Sequence, residues 1–193
     1  MKTKYINLFI IGLCFQFSAI ASHIIGGELT YISLGDNEYE VTLTMYRDCD
    51  PTSATFELEY TLSIFNDDSN SPSEFVTMFN PTFTLIEYDA LENDCLELPD
   101  GICVEQAIFT QTITITSPED NFTLYVSACC RDENVINLFD PSGQGSTFTT
   151  SIPSNLIAQD NNSATFVNYP PLGICLGDNI EVDLSASDSS GYT

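Results

Sequence analysis

Phe56-Glu57-Leu58-Glu59-Tyr60-Thr61-Leu62-Ser63-Ile64 alternates apolar and polar side chains at every step. Successive side chains of an extended segment point to opposite faces, so a period of two reads as a half-buried strand with a solvated acidic or hydroxylated face. Tyr39-Glu40-Val41-Thr42-Leu43-Thr44-Met45 repeats the pattern. Working outward, the same reading predicts strands near 24–33, 74–79, 82–88, 104–116, 122–130, 145–152 and 179–186. Between them lie Gly35-Asp36-Asn37, Asn66-Asp67-Asp68-Ser69-Asn70, Pro118-Glu119-Asp120-Asn121 and Pro141-Ser142-Gly143, residue types that turn a chain. No helical period is sustained outside the N-terminus. The expectation is an all-β fold: an immunoglobulin-like antiparallel β-sandwich over 22–153, a linker over 154–163, and the start of a second β-domain over 164–193. That last segment is too short to close a sandwich, which takes about 100 residues.

The chain has 193 residues, with 28 acidic against 4 basic and a net charge of -24. So few cations cannot build a nucleic-acid surface, and an anionic membrane surface would repel the chain. With 43% hydrophobic and 11% aromatic residues there is enough apolar material for a packed core.

Residues 1–21 read as an export signal. Lys2 and Lys4 precede an apolar run from Tyr5 to about Phe17, and Ala19-Ile20-Ala21 fits a small-x-small cleavage site. Asn7 and Gln16 interrupt the run, which is short for a membrane span. Leu13 before Cys14 does not fit a lipid-attachment site. Cleavage after Ala21 removes two of the four basic residues and no acid, so the net charge goes from -24 to -26 and only Arg47 and Arg131 remain as cations.

Cleavage also leaves six cysteines: Cys49, Cys95, Cys103, Cys129, Cys130 and Cys175. Six in an exported chain read as a disulfide set with 15 possible connectivities. Cys95 and Cys103 flank a Pro/Gly-containing loop suited to a local bridge. In Phe122-Thr123-Leu124-Tyr125-Val126-Ser127-Ala128-Cys129-Cys130 the alternation turns Cys130 inward and Cys129 outward. That makes Cys49, which follows the strand of Val41, Leu43 and Met45, the preferred partner of Cys130. A vicinal Cys129–Cys130 bridge is the strained alternative, and Cys175 stays unassigned. Zinc is disfavoured because the spacings lack paired CxxC knuckles. A catalytic cysteine would have to rely on His23, the one histidine, at the mature N-terminus. Arg47 and Arg131 each adjoin a cysteine and read as structural ion-pair anchors that come close together if Cys49 and Cys130 bond.

Ser22-His23-Ile24-Ile25-Gly26-Gly27-Glu28-Leu29-Thr30-Tyr31 resembles the mature start of large surface proteins of Bacteroidota, which carry sandwich repeats and often end in a gliding-motility-associated sorting domain. The resemblance continues through Tyr39–Cys49, Cys103-Val104-Glu105, Cys129-Cys130-Arg131, Ile174-Cys175 and Ser185-Ala186-Ser187-Asp188. It implies export followed by type IX secretion and a non-catalytic surface or adhesion role. This chain departs from the family where an Asp-rich continuation is replaced by Asp188-Ser189-Ser190-Gly191, and in having no sorting domain. Asp160-Asn161-Asn162-Ser163-Ala164-Thr165-Phe166 resembles the calcium-binding linker of cadherin-type repeats, and Ala186-Ser187-Asp188 the motif that supplies a further ligand. The resemblance implies calcium on Asp160, Asn161, Asn162 and Asp188, since calcium takes hard oxygens from carboxylates, amides and carbonyls. A solvated Asx turn explains the same residues without a ligand. The acidic Asn66–Asn70 turn is a lesser candidate of the same kind.

For an enzyme, no Ser/His/Asp set, HExxH or phosphate loop is present. A carboxylate pair for glycoside hydrolysis is the remaining route, and with 28 acids a pair at a suitable distance means little without an apolar pocket. The expected function is therefore the N-terminal module of an exported adhesin-like protein. Its partner would be an extracellular glycan or protein ligand, or neighbouring repeats of the same polypeptide, with no nucleic acid and no membrane span after signal cleavage. A calcium-rigidified stalk module is the alternative.

Overall fold

The structure, a computed structural model, describes residues 24–51, 53–69, 71–86, 103–132, 135–168, 177, 179 and 181–189. The signal segment, His23, Cys95 and Cys175 lie outside the described residues.

The strands fall where the alternation places them: β1 (Ile24–Gly35), β2 (Glu38–Asp48), β3 (Glu59–Asn66), β4 (Pro72–Phe79), β5 (Thr82–Leu85), β6 (Val104–Thr114), β7 (Phe122–Cys129) and β8 (Gly145–Ile152). Two short strands, β9 (Thr165–Phe166) and β10 (Ala186–Ser187), pair antiparallel apart from the rest. A single 3-10 turn (Pro141–Gly143) is the only helical element among the described residues. Two antiparallel four-stranded sheets result, ordered β1-β2-β6-β5 and β4-β3-β7-β8. They face each other with β1 over β8 and β4 over β6.

The core lies between them because the inward set of each strand is apolar. Val41, Leu43 and Met45 of β2 and Phe109 of β6 meet Leu62 and Ile64 of β3 and Leu124 and Val126 of β7, all essentially without solvent access. Each such side chain contributes roughly 1.5–3 kcal/mol by leaving water. The β1–β2 hairpin turns through Gly35, Asp36 and Asn37, all at positive φ, where Gly and Asx residues are best tolerated.

Two expected strands differ from what forms. The 56–64 strand begins only at Glu59. Phe56 is buried, but by the stacked ring of Phe83 at 6.1 Å and the Arg47 guanidinium at 5.6 Å, so the chain there follows a loop path and Leu58 points outward. The alternating 179–186 segment forms a ladder only at Ala186–Ser187, because the partner strand offered to it, Thr165–Phe166, is two residues long.

The chain enters and leaves the sandwich at opposite ends of β7. The amide of Ile24 donates to the carbonyl of Cys130 at 3.1 Å, whereas Ile152 pairs with Phe122.

Candidate functional site

At the N-terminal pole, the disulfides differ from the pairings expected. Cys49 bonds Cys103, not Cys130, with a Cα–Cα distance of 5.1 Å. The register explains it: β2 and β6 pair with Asp48 opposite Val104, so the next residue out on each strand is already facing its partner. This also takes Cys103 from the expected local bridge with Cys95. Cys130, on the other sheet, bonds its neighbour Cys129. Cys130 is buried and Cys129 exposed, the orientation that the alternation along β7 requires.

Arg47 is an anchor. Only 7% of it is exposed; its Nε donates to Glu105 Oε2 at 2.7 Å, and its Nη1 to the carbonyls of Ala54 (2.9 Å) and Asp48 (3.2 Å). Glu105 stands directly opposite in the β2–β6 ladder. Arg131 does not take up the ion-pair role expected of it among the described residues. It enters through its backbone, bridging Ile24 and donating its amide to the Gln144 carbonyl at 2.9 Å. The two arginines nevertheless flank one residue, because Ile24 is also opposite Arg47 in the β1–β2 register. They converge without a Cys49–Cys130 bond. From the same pole the β7–β8 loop projects Ile136 (99% exposed) and Phe139 (93% exposed).

The second site is the edge of β1, where the linker returns. Tyr31 is buried, and its hydroxyl donates to the Ser151 carbonyl (3.0 Å) while accepting from Asn161 Nδ2 (2.7 Å). Its amide donates to Ser163 Oγ (2.9 Å), and its carbonyl accepts from the Ser163 amide (2.9 Å). Two residues on, the Ser33 amide donates to Asn162 Oδ1 (2.7 Å). Residues 161–163 thus satisfy the outer hydrogen-bonding groups of an edge strand that otherwise offers them to another chain. Burial raises the Tyr31 hydroxyl above its ordinary 10; the bond from Asn161 opposes this, and Tyr39 and the charge of Asp188 add to it.

All four expected calcium residues therefore collect beside Tyr31 and Ser33. Asp160 Oδ1 lies 3.5 Å from Ser33 Oγ, and Asn162 Nδ2 donates to Ser189 Oγ at 3.0 Å, next to Asp188. Their oxygens are partly committed, since Asn162 Oδ1 already accepts from Ser33. Among the described residues no group of three or more carboxylate, histidine or cysteine side chains is placed to hold a metal. A cation there would have to draw on amide and backbone oxygens.

Between β1, β8 and this linker runs a groove of about 550 Å³, lined among others by Glu28, Asp188, Thr147, Thr149, Ser151 and Phe166. It brings two carboxylates to one concavity, both partly open to solvent. Neither has the apolar setting that tunes a catalytic acid.

Composition offered no route to the roles of Tyr31 and Glu105. The one available signal for Glu105 was the scarcity of cations, which makes any acid opposite Arg47 a partner. Tyr31 reads from the sequence as an ordinary inward aromatic.

No family model, curated protein or solved structure matches the chain. What fold and sites together define is an all-β, disulfide-bearing sandwich. No helix among the described residues is long and apolar enough to cross a membrane.

Proposed function

We propose that this chain is a non-catalytic, adhesin-like module of an exported bacterial surface protein, and that its sandwich is of the immunoglobulin-like type. The sheet order supports the second part. Lettered along the chain, β1-β2-β6-β5 corresponds to the ABED sheet of an immunoglobulin domain, and β3, β7 and β8 to its CFG sheet, with β4 as an added edge strand. Export is favoured by the signal-like residues 1–21 and by the disulfides, which persist in oxidising compartments.

The observation that carries the binding role is the pole of the β7–β8 loop. Ile136 and Phe139 are almost fully exposed on a loop whose base adjoins the Cys129–Cys130 disulfide, at the end opposite the linker. Exposed apolar groups held on a rigid scaffold mark contact surfaces. The test is attachment of beads carrying the exported chain to protein-coated and glycan-coated surfaces. Beads with the native chain should attach, and Ile136→Ser/Phe139→Ser should reduce attachment several-fold. Attachment no better than that of uncoated beads refutes the adhesive role. Mass analysis of the secreted chain should find Ser22 at its N-terminus.

A stalk reading is favoured by one observation, the hydrogen bonding of residues 161–163 to β1, which would limit bending at the linker. Calcium rigidification belongs to this reading. An unchanged melting temperature on calcium titration refutes it.

A further inference from the structure

The outer face of the β4-β3-β7-β8 sheet has a composition that the fold does not require. Tyr60, Leu62 and Ile64 of β3 point inward, so Thr61, Ser63 and Phe65 point outward. Ser63 stands opposite both Phe75 of β4 and Tyr125 of β7, and Tyr125 stands opposite Thr149 of β8. These four residues form one row across the sheet. The strand positions of Phe75 and Tyr125 are two strand spacings apart, about 10 Å. The Phe65 ring joins them, edge-on to Tyr125 at 6.2 Å. Phe75 is 66% exposed and contributes little to the core.

Around the rings the face is hydroxylated. The alternation puts Thr61, Thr77, Ser127 and Thr147 in the next row. In a protein with 28 acids, Glu59 is the one strand carboxylate that the same alternation assigns to this face, and Asp67, in the turn after β3, reaches its edge by accepting from Thr123 Oγ1 at 2.8 Å. The outer face of the other sheet carries Glu28 and Glu40. Depletion of charge around exposed aromatics marks the centre of a contact surface. The row also has a continuation, because Thr147, Thr149 and Ser151 border the 550 Å³ groove beside Asn161 and Asn162, where the carboxylates of Glu28 and Asp188 mark the charged end of the track.

We propose that this row and the groove form one binding track for a neutral polysaccharide. Hexose rings offer flat C–H faces that stack on aromatic rings and rims of hydroxyls that exchange hydrogen bonds with Thr, Ser and Asn. The spacing of these strand positions matches the two-residue repeat of an extended β-linked hexose chain, so alternate sugars would stack on Phe75 and Tyr125. Charge selects against two other occupants: a polyanion or a second copy of this chain would meet a net charge of -24. The track is separate from the pole of Ile136 and Phe139, so the proposal goes beyond the surface-binding reading above and adds a second contact surface with its own ligand class.

The test is affinity electrophoresis of the exported chain through native gels containing soluble β-glucan, arabinoxylan or galactomannan, with alginate as the anionic control. Retardation is expected in at least one neutral gel and not in alginate. Phe75→Ala and Tyr125→Ala should each weaken it at least about tenfold, as loss of a stacked ring does elsewhere. Both should melt close to the native protein, since the rings lie outside the core. Absence of retardation in every neutral gel, or retardation indifferent to both aromatic variants, overturns the proposal, as does a dimer that Phe75→Ala abolishes. If the gels show nothing while beads still attach through Ile136 and Phe139, the polysaccharide track fails and the adhesive reading stands. If neither assay shows binding, both fail.

Discussion

Replacing Arg47 with Met tests how much of the N-terminal pole hangs on one side chain. Met keeps most of the aliphatic stem that covers Phe56 but removes the charge. The variant loses the 2.7 Å bond to Glu105 and the bonds to the carbonyls of Asp48 and Ala54. The side chains of Arg47 and Glu105 are 9% and 22% exposed, so Glu105 is left largely desolvated without its cation. Breaking a buried pair from one side costs about 3–5 kcal/mol. The remaining exposure of Glu105 places this one at the lower end, about 3 kcal/mol. For a chain of this length that lowers the melting temperature by roughly 6–12 °C. The assay is urea unfolding in oxidising buffer, followed by tyrosine emission, which the absence of tryptophan leaves unobscured. Removing the second charge as well, in Arg47→Met/Glu105→Leu, should recover much of the loss, because no buried charge is then orphaned. A single variant within 0.5 kcal/mol of the native protein, or a double variant worse than the single, would show that the pair is not an anchor.

Cys49→Ser opens a cross-link between residues 54 apart in sequence. By loop entropy it should cost about 4 kcal/mol, read as a lower urea midpoint and a reduced response to added reductant. Tyr60→Phe addresses alkaline stability. Burial, with the charge of Glu57 adding to it, pushes the Tyr60 hydroxyl up to about 12. Below pH 10 the phenol is neutral in both folded and unfolded chains and stability is complete. Between pH 10 and 12 only the unfolded chain gives up its proton, so stability falls. Unfolding midpoints across that range should decline less steeply in Tyr60→Phe, with the share due to Tyr31 and Tyr39 remaining. Tyr31→Phe removes the donor to Ser151 and the acceptor for Asn161. It should cost about 1–2 kcal/mol and speed amide exchange at Ser163 more than at Leu43.

The strands were legible in the sequence because a period of two is local and survives any tertiary arrangement. Eight strands form near the places it marks, with differences at their ends, the shortest being the four-residue β5, exposed throughout. Disulfide pairing was not legible, because it depends on which strands become neighbours and in what register. Cys49 and Cys103 meet because β6 lies beside β2, a relation that neither segment encodes alone. The apolar-polar rhythm of 179–186 suggested a strand, but a ladder needs a partner and only two residues find one. Asp160, Asn161, Asn162 and Asp188 were legible as a set that comes together. That they come together on Tyr31 and Ser33 was not, because the bonds join backbone and short polar side chains up to 132 residues apart. The aromatic row was hidden for the same reason: Phe75, Phe65 and Tyr125 look unrelated until strand register aligns them.

The return of residues 161–163 to β1 also has a mechanical side. The chain leaves β8 at Ile152 and is then held at Tyr31 and Ser33 by a few hydrogen bonds. A pull from the downstream end meets these bonds first and in succession, like a seam opened stitch by stitch. The bonds of Ser154 to Asn121 and of Asn155 to Pro118 give way next, and the segment from Pro153 to Ser163 then straightens toward an extended length of roughly 35 Å, releasing the difference from its folded span. The sandwich itself, with its strands cross-linked through Cys49 and Cys103, feels the load only after that slack is spent. A module tethering a cell to a surface in flow would thus carry its own short shock absorber at the joint below it.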